Sequence, residues 1–207
     1  MTPAESVFIN CPFDAEYQRL LRAVVFAVHD CGFIARSSLE RDDGSEVRID
    51  KIRRIIGESQ FGVHDISRTE VAPASGLPRF NMPLELGMFL GAKYFGGADH
   101  SGKACVIFDR ERYRYQVFCS DLAGQDVRGH GDAEREVIRG VRDAARTWVP
   151  ERVLPGGDAI FRRYCRFVQS LPRLARRVSL HPDELTFGDL SYLVVEWLGT
   201  DRPSAAA

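Results

Sequence analysis

The sequence lacks a long hydrophobic run. No apolar stretch approaches the roughly 18 residues that a membrane-spanning helix needs. Residues 1–6 also lack the basic and apolar regions of a secretory signal peptide. We therefore expect a cytoplasmic protein with no membrane partner.

The sequence has almost no net charge, because 28 Lys and Arg residues stand against 29 Asp and Glu residues. Such a balance exerts no overall attraction on nucleic acid or anionic lipid, so only a local patch can supply one. The densest basic stretch lies within residues 162–177 and comprises Arg162, Arg163, Arg166, Arg173, Arg176 and Arg177. This pattern is typical of a solvated helix face, and contact with nucleic acid or an acidic partner is the alternative.

Metal-binding and redox motifs are missing as well. The five cysteines are widely spaced and contain no C-x-x-C pair, and the five histidines have no metal-ligand spacing. We expect reduced thiols, no metal site and no cofactor. Cys11 is interpreted as a packing residue, because no second cysteine or histidine lies near it in the sequence to activate it. His64 is also interpreted as a packing residue, because adjacent strand residues alternate faces and it cannot point into the same crevice as Asp65.

What the sequence does contain is an alternation of strand and helix patterns. A 44% hydrophobic and 28% charged composition is typical of a folded domain. Short apolar runs predict strands at residues 7–9, 32–35, 61–66 and 103–109. A fifth strand is predicted at residues 112–119. Helical spacing predicts helices at residues 17–31, 49–56, 82–94, with Asn81 as the cap, and 133–148. This order predicts a doubly wound, flavodoxin-like α/β fold with a parallel sheet of about five strands.

Two amphipathic helices are predicted after a break rich in proline and glycine at residues 150–157. We therefore divide the chain into an α/β domain, residues 1–150, and a C-terminal helical extension, residues 151–207. Each helix has an apolar stripe that must be covered, either by the α/β core or by another subunit. Phe167 and Trp197 are large aromatics of the kind that anchor interfaces, which favours a homo-oligomer or a complex with a regulatory partner.

Ligands of open parallel sheets bind beyond the carboxyl ends of the strands, which directs attention to Glu85. Glu85 falls in the first turn of the third predicted helix, after the long loop that follows the third strand. A carboxylate there can simply stabilise the helix start through the helix dipole. Its neighbours Leu84, Leu86, Met88 and Phe89 are apolar, however, so we expect a partly desolvated side chain with a raised pKa.

Three short motifs resemble the nucleoside 2-deoxyribosyltransferase-like family, whose architecture is related to that of TIR-type NAD hydrolases. They are Asn10-Cys11-Pro12-Phe13, Asp65-Ile66-Ser67 and Glu85-Leu86-Gly87. The resemblance covers roughly residues 5–110 in its order of elements. Similar domains occur as toxic effectors in bacterial anti-phage systems, including some retron systems.

The resemblance implies that Glu85 is the catalytic glutamate, acting on the anomeric carbon as an N-glycosidic bond breaks. It also implies that Asp65 holds a sugar hydroxyl or the base. The substrate-binding residues expected around them are Asn10, Phe13, Arg36, Glu40, Arg68 and Asn81.

One departure bears on the substrate. The family usually has an aspartate about six residues before the glutamate, whereas residues 77–81 here contain Arg79 and Asn81. Asn81 replaces the carboxylate by a neutral hydrogen-bonding group, and Arg68 and Arg79 add positive charge, which favours a phosphorylated ligand.

The sequence therefore predicts cleavage of an N-glycosidic bond in a nucleotide, nucleoside or NAD, by hydrolysis or transfer, in a defence-system effector. A nucleotide sensor without turnover and a purely structural partner are the alternatives. The sensor would bind a nucleotide in the same crevice without a reaction. The structural partner would dock through the two C-terminal helices.

Overall fold

A five-stranded parallel sheet forms the centre of the computed structural model, which describes residues 5–71 and 76–201. The strands are β1 (Ser6–Asn10), β2 (Ile34–Arg36), β3 (Phe61–Asp65), β4 (Ala104–Asp109) and β5 (Val127–Gly129). Their order across the sheet is β2-β1-β3-β4-β5, with every pair parallel. The predicted doubly wound α/β fold is confirmed, and 53% of the described residues are helical.

Seven α-helices surround this sheet within the described residues. They are α1 (Gln18–Asp30), α2 (Arg48–Glu58), α3 (Asn81–Phe95), α4 (Ala98–Ser101), α5 (Glu134–Trp148), α6 (Gly157–Arg177) and α7 (Phe187–Asp201). On one face of the sheet, α1 and α5 share a core with the strands, and α6 and α7 pack outside them. On the other face, α2 and α3 cover Phe8, Ile66 and Ile107. None of these helices is both long enough and apolar enough to span a bilayer.

The predicted fifth strand is wrong. Residues 112–119 are not extended: Tyr113 has a positive φ of 70°, and a 3₁₀ helix, Arg114–Val117, follows it. The edge strand is β5 instead, which is only three residues long and has one buried residue, Val127. Tyr115, one of the aromatic residues of this segment, is instead buried in a cluster with Ile66 and Val127.

The start of α3 also differs from the prediction. Asn81 is the first residue of the helix, Phe80 precedes it as the capping position, and no side chain caps this end. Pro83 is compatible with the first turn, where a main-chain N–H has no partner within the helix. The exposed Asn81 side chain is thus available to a ligand rather than committed to the helix.

The C-terminal helices dock on the chain itself, so the interface proposed for their aromatics is wrong. Phe26 of α1 lies 5.4 Å from Phe167 and 5.8 Å from Trp197, measured between ring centroids. Phe167 is completely buried and Trp197 nearly so. An ion pair from Arg163 Nε to Asp30 Oδ2, at 3.0 Å, also joins α6 to α1. The 151–207 extension therefore shares its core with the α/β layers.

The arginines of α6 are divided between structural and exposed positions. Arg163 pairs with Asp30, and Arg166 pairs with Asp201 of α7 at 2.7 Å. Arg162, Arg173 and Arg177 are exposed and form no ion pair with the residues that the structure describes. Arg176 is also exposed and forms no ion pair with the described residues, although its Nε donates to the main-chain oxygen of Pro172 at 3.0 Å. These four arginines are left to attract an acidic partner, and contact with nucleic acid stays a prediction.

Candidate functional site

A cavity of about 340 Å³ opens where β1 and β3 end and α3 begins. Its walls come from the loop after β1, the loop after β3, the start of α2 and the start of α3. The lining residues are Pro12, Phe13, Asp14, Arg48, Arg68, Arg79, Asn81 and Met82. This is the position at which open parallel sheets bind ligands.

Asn10 holds this part of the fold together. It is the last residue of β1, and its Nδ2 donates to the main-chain oxygen of Met82 at 2.8 Å. The same amide lies 3.1 Å from Nδ1 of His64. Burial lowers the pKa of His64 to about 3, so its imidazole is neutral and accepts the amide proton at Nδ1. Asn10 thus fixes the first turn of α3 through its hydrogen bond to Met82, and its side chain does not line the cavity.

Glu85 lies one turn into α3, not in the first turn where it was predicted, because the helix already begins at Asn81. It is buried, only 4% exposed. Its Oε1 is 3.9 Å from Nη2 of Arg48, a residue that also lines the cavity. Burial raises the pKa of Glu85 to about 7, and the positive charge of Arg48 acts in the opposite direction. The predicted desolvated carboxylate is therefore present. It does not itself line the cavity, and its contact with Arg48 connects it to the cavity wall.

The raised pKa has a measurable consequence for stability. The unfolded chain ionises Glu85 near its ordinary pKa of 4.5, whereas the folded chain retains the proton up to about 7. Between these values the folded state binds more protons, so stability falls as the pH rises. We expect the wild type to lose on the order of 2 kcal/mol relative to Glu85→Gln between pH 4.5 and pH 8.

Urea denaturation of both proteins at several pH values measures this difference. The glutamine variant is the control, because it keeps the shape of the side chain and has no proton to lose. Parallel pH profiles for the two proteins would show that Glu85 ionises normally and is better hydrated than its burial implies.

Asp65 is at the end of β3 but completely buried, so it does not present its carboxylate at the cavity as the predicted contact with a sugar hydroxyl or the base requires. Tyr17 donates its hydroxyl proton to Oδ2 at 2.6 Å, and the main-chain N–H of Ser67 donates to Oδ1 at 2.9 Å. Nε2 of His130 lies 3.1 Å from the same Oδ2. Asp65 therefore connects the carboxyl ends of β3 and β5 inside the protein, through its contacts with Tyr17, Ser67 and His130.

Cys11 lies among the carboxylates of this region. Burial raises the pKa of its thiol, and the negative charges of Asp65, Glu85 and Asp14 raise it further. A protonated, buried thiol is a poor nucleophile. This environment agrees with the packing role expected for Cys11.

Apart from Asn10, which holds α3 by its hydrogen bond to Met82, the predicted substrate-binding residues separate into two groups. Phe13, Arg68 and Asn81 line the cavity beside Glu85. Arg36 and Glu40 instead pair with each other at 2.7 Å and line a different cavity, of about 900 Å³, between β2 and α7. The structure does not bring this pair to the cavity that Arg48 and Asn81 share.

Three residues of this region were not identified as site residues from the sequence: Arg48, Tyr17 and His130. Arg48 follows a polar segment of mixed charge, residues 40–46, in which most charges are expected to be solvated, yet it connects the cavity to Glu85. Tyr17 and His130 approach Asp65 from α1 and from the loop after β5, far away in the chain. No local pattern marks such long-range partners, so the sequence offered no signal for them.

The cavity carries positive charge toward its entrance. Arg68 is shared between Asp14 and Glu16, at 3.6 and 3.0 Å. Arg79 forms no ion pair with any described residue and is exposed. Within residues 5–71 and 76–201, no group of three or more histidine, cysteine, aspartate or glutamate side chains is arranged to hold a metal ion. The polar chemistry available here is that of guanidinium, amide and carboxyl groups.

A comparison with models of known protein families found no match, and a comparison with curated proteins found none either.

Proposed function

We propose that this protein cleaves the N-glycosidic bond of a nucleotide-type substrate, with Glu85 acting on the anomeric carbon. The observation that carries the proposal is a buried carboxylate one turn into α3, in contact with Arg48, which lines a cavity at the carboxyl ends of β1 and β3. Bond cleavage passes through an oxocarbenium-like state, and a nearby carboxylate stabilises that positive charge or captures it covalently. A desolvated carboxylate acts more strongly than one in water.

Ionisation of Glu85 is coupled to Arg48. The guanidinium at 3.9 Å favours the charged carboxylate, while burial opposes it, so the group changes protonation near neutral pH. Both forms are then populated under working conditions. Of these, the ionised form serves as nucleophile or electrostatic stabiliser.

The substrate that best suits this cavity is phosphorylated. Three arginines, Arg48, Arg68 and Arg79, contribute to a wall of only eight residues. Guanidinium groups bind phosphate oxygens through charge-assisted and often paired hydrogen bonds. A nucleoside monophosphate or NAD supplies both the phosphate and the N-glycosidic bond.

Incubation with nucleoside monophosphates, nucleosides and NAD, followed by chromatography of the released base, tests the activity. Release of base by the wild type and not by Glu85→Gln is the expected result. Addition of a second free base distinguishes the two reactions, because a transferase forms a new nucleoside while a hydrolase forms the free sugar. Tight binding of a nucleotide without any base release would favour the sensor alternative and contradict the proposal.

Arg79→Gln provides a separate test of the phosphate preference. Loss of one charged hydrogen-bonding partner of phosphate should raise KM for a nucleotide about tenfold and leave kcat nearly unchanged. For the corresponding nucleoside, KM should not change. Arg177→Gln, which removes an exposed arginine of α6, is the matched control. Equal effects on nucleotide and nucleoside would contradict a phosphate contact.

We also propose that this activity serves an anti-phage effector, as in the family that the sequence resembles. Loss of nucleotides or NAD halts cell growth, so induced expression of the wild type should arrest a bacterial culture while Glu85→Gln does not. Equal accumulation of both proteins is checked by immunoblotting. Growth arrest by both the wild type and Glu85→Gln would show that toxicity does not depend on the proposed chemistry.

A further inference from the structure

Helix α3 has a second apolar stripe on the side away from the sheet. Phe80, Leu84, Gly87, Gly91 and Tyr94 follow a spacing of four, three, four and three residues, which places them along one face. Phe80 is 49% exposed, Leu84 58% and Tyr94 64%, and the adjacent Phe95 is 90% exposed. The opposite side of the helix buries Glu85, Leu86 and Phe89. A helix that is apolar on both sides is normally covered on both sides.

Packing within the described part of the chain does not require the two glycines of this outward stripe. Neither has the positive φ that favours glycine. Among the described residues, and apart from the backbone of the helix, no heavy atom lies within 4 Å of a Cβ built at Gly87 or Gly91. Glycine destabilises a helix interior relative to alanine, so the folded monomer would be more stable without these two glycines. Small residues at this spacing instead allow the backbone of another helix to approach closely.

The outward stripe carries no charge that would select a partner of opposite sign. Helix α3 contains two charged residues, Glu85 and Lys93. Glu85 is buried, and the half-buried Lys93 follows the buried Phe89 by four residues, so it lies on the sheet-facing side of the helix. An uncharged face suits an uncharged partner surface.

The shape of the stripe is complementary to itself. Leu84 lies three residues before Gly87, and Tyr94 lies three residues after Gly91. In an antiparallel pair related by a two-fold axis, the glycines of both copies meet at the crossing point. Leu84 of each copy then opposes Tyr94 of the other, so large side chains fill the space beside the small ones. We propose that a second copy of this chain docks on this face, α3 against α3.

The area is adequate for a weak dimer. With aromatic side chains of about 150–250 Å² each, the exposed parts of Phe80, Leu84, Tyr94 and Phe95 amount to on the order of 500 Å² per copy. A pair would bury about 1,000 Å², the size at which specific interfaces begin. This interface is independent of the proposed catalysis, because it uses the side of α3 opposite Glu85.

Sedimentation of the full chain over a range from about 1 to 200 µM tests the dimer. The wild type should move toward twice the mass of one chain as its concentration rises. Leu84→Glu and Gly91→Leu should each remain monomeric over the same range. Val153→Glu is the matched control, because it adds the same charge at a valine that is 99% exposed elsewhere, and it should dimerise like the wild type.

The melting temperature separates loss of the dimer from loss of the fold. Measured at low concentration, Gly91→Leu should melt about 2 °C or more above the wild type, since a glycine is removed from a helix. A wild type that stays monomeric at the highest concentration would overturn the proposal. A dimer that survives in Leu84→Glu and Gly91→Leu would overturn it too, because another face would then hold the copies together. Lower stability of Gly91→Leu would show that the chain's own packing requires the glycine.

Discussion

Replacement of Glu85 by glutamine is expected to reduce kcat/KM for base release by about 10³-fold or more, while the fold is retained. The amide fills the same volume in α3 but brings no negative charge to the oxocarbenium-like state. Because Glu85 is buried and its charge is unfavourable in the folded protein, the substitution should not lower thermal stability at pH 7. Chromatography of the released base and thermal melting measure the two effects.

Two further variants make this result specific. Glu196→Gln removes an exposed carboxylate from α7 and should leave turnover unchanged. Glu85→Asp keeps the charge but withdraws it by one methylene group, so it should retain more activity than the glutamine variant. Full turnover by Glu85→Gln would exclude Glu85 from the chemistry.

Truncation of Phe167 to alanine is expected to lower the free energy of unfolding by about 3–5 kcal/mol. Phe167 is completely buried, and its ring packs against Phe26 of α1 at 5.4 Å and Trp197 of α7 at 5.9 Å. Alanine would leave a cavity where three helices meet. Urea denaturation monitored by tryptophan fluorescence measures the loss.

Tyr192→Ala is the matched control, since it removes an exposed aromatic ring from α7. Its effect should be within about 0.5 kcal/mol of the wild type. An equally small effect for Phe167→Ala would mean that α6 does not pack on α1 in solution. It would then be undecided whether the chain's own core or a partner covers the apolar stripe of α6.

The strands with apolar runs were predictable because burial on both faces of a parallel sheet demands continuous apolar residues. Val7, Phe8 and Ile9 of β1 and the corresponding residues of β3 and β4 meet this condition. β5 does not, since Arg128 and Gly129 are exposed at the edge of the sheet. An edge strand of only three residues has too few buried positions to give a recognisable strand pattern in the sequence. The aromatic residues within 112–119 gave a stronger pattern, and the fifth strand was therefore predicted there.

The desolvation of Glu85 was predictable for the same local reason. Its neighbours on α3 are apolar, so a helix packed on the sheet carries the carboxyl group into an apolar wall. The 3.9 Å contact with Arg48 was not predictable, because it joins the starts of two helices that lie 37 positions apart in the chain. Likewise, the partners of Asp65 come from α1 and from the loop after β5.

The amino-acid sequence alone determined the parallel α/β architecture, the position of Glu85 at a helix start and the presence of apolar stripes on the C-terminal helices. These depend on spacing along a single segment, which the order of residues contains directly. Only the tertiary structure decided what each surface meets. It covered α6 and α7 with α1, set Arg36 and Glu40 apart from Asn81, and left one side of α3 exposed. Those outcomes depend on distances between segments, which packing determines and local periodicity does not record.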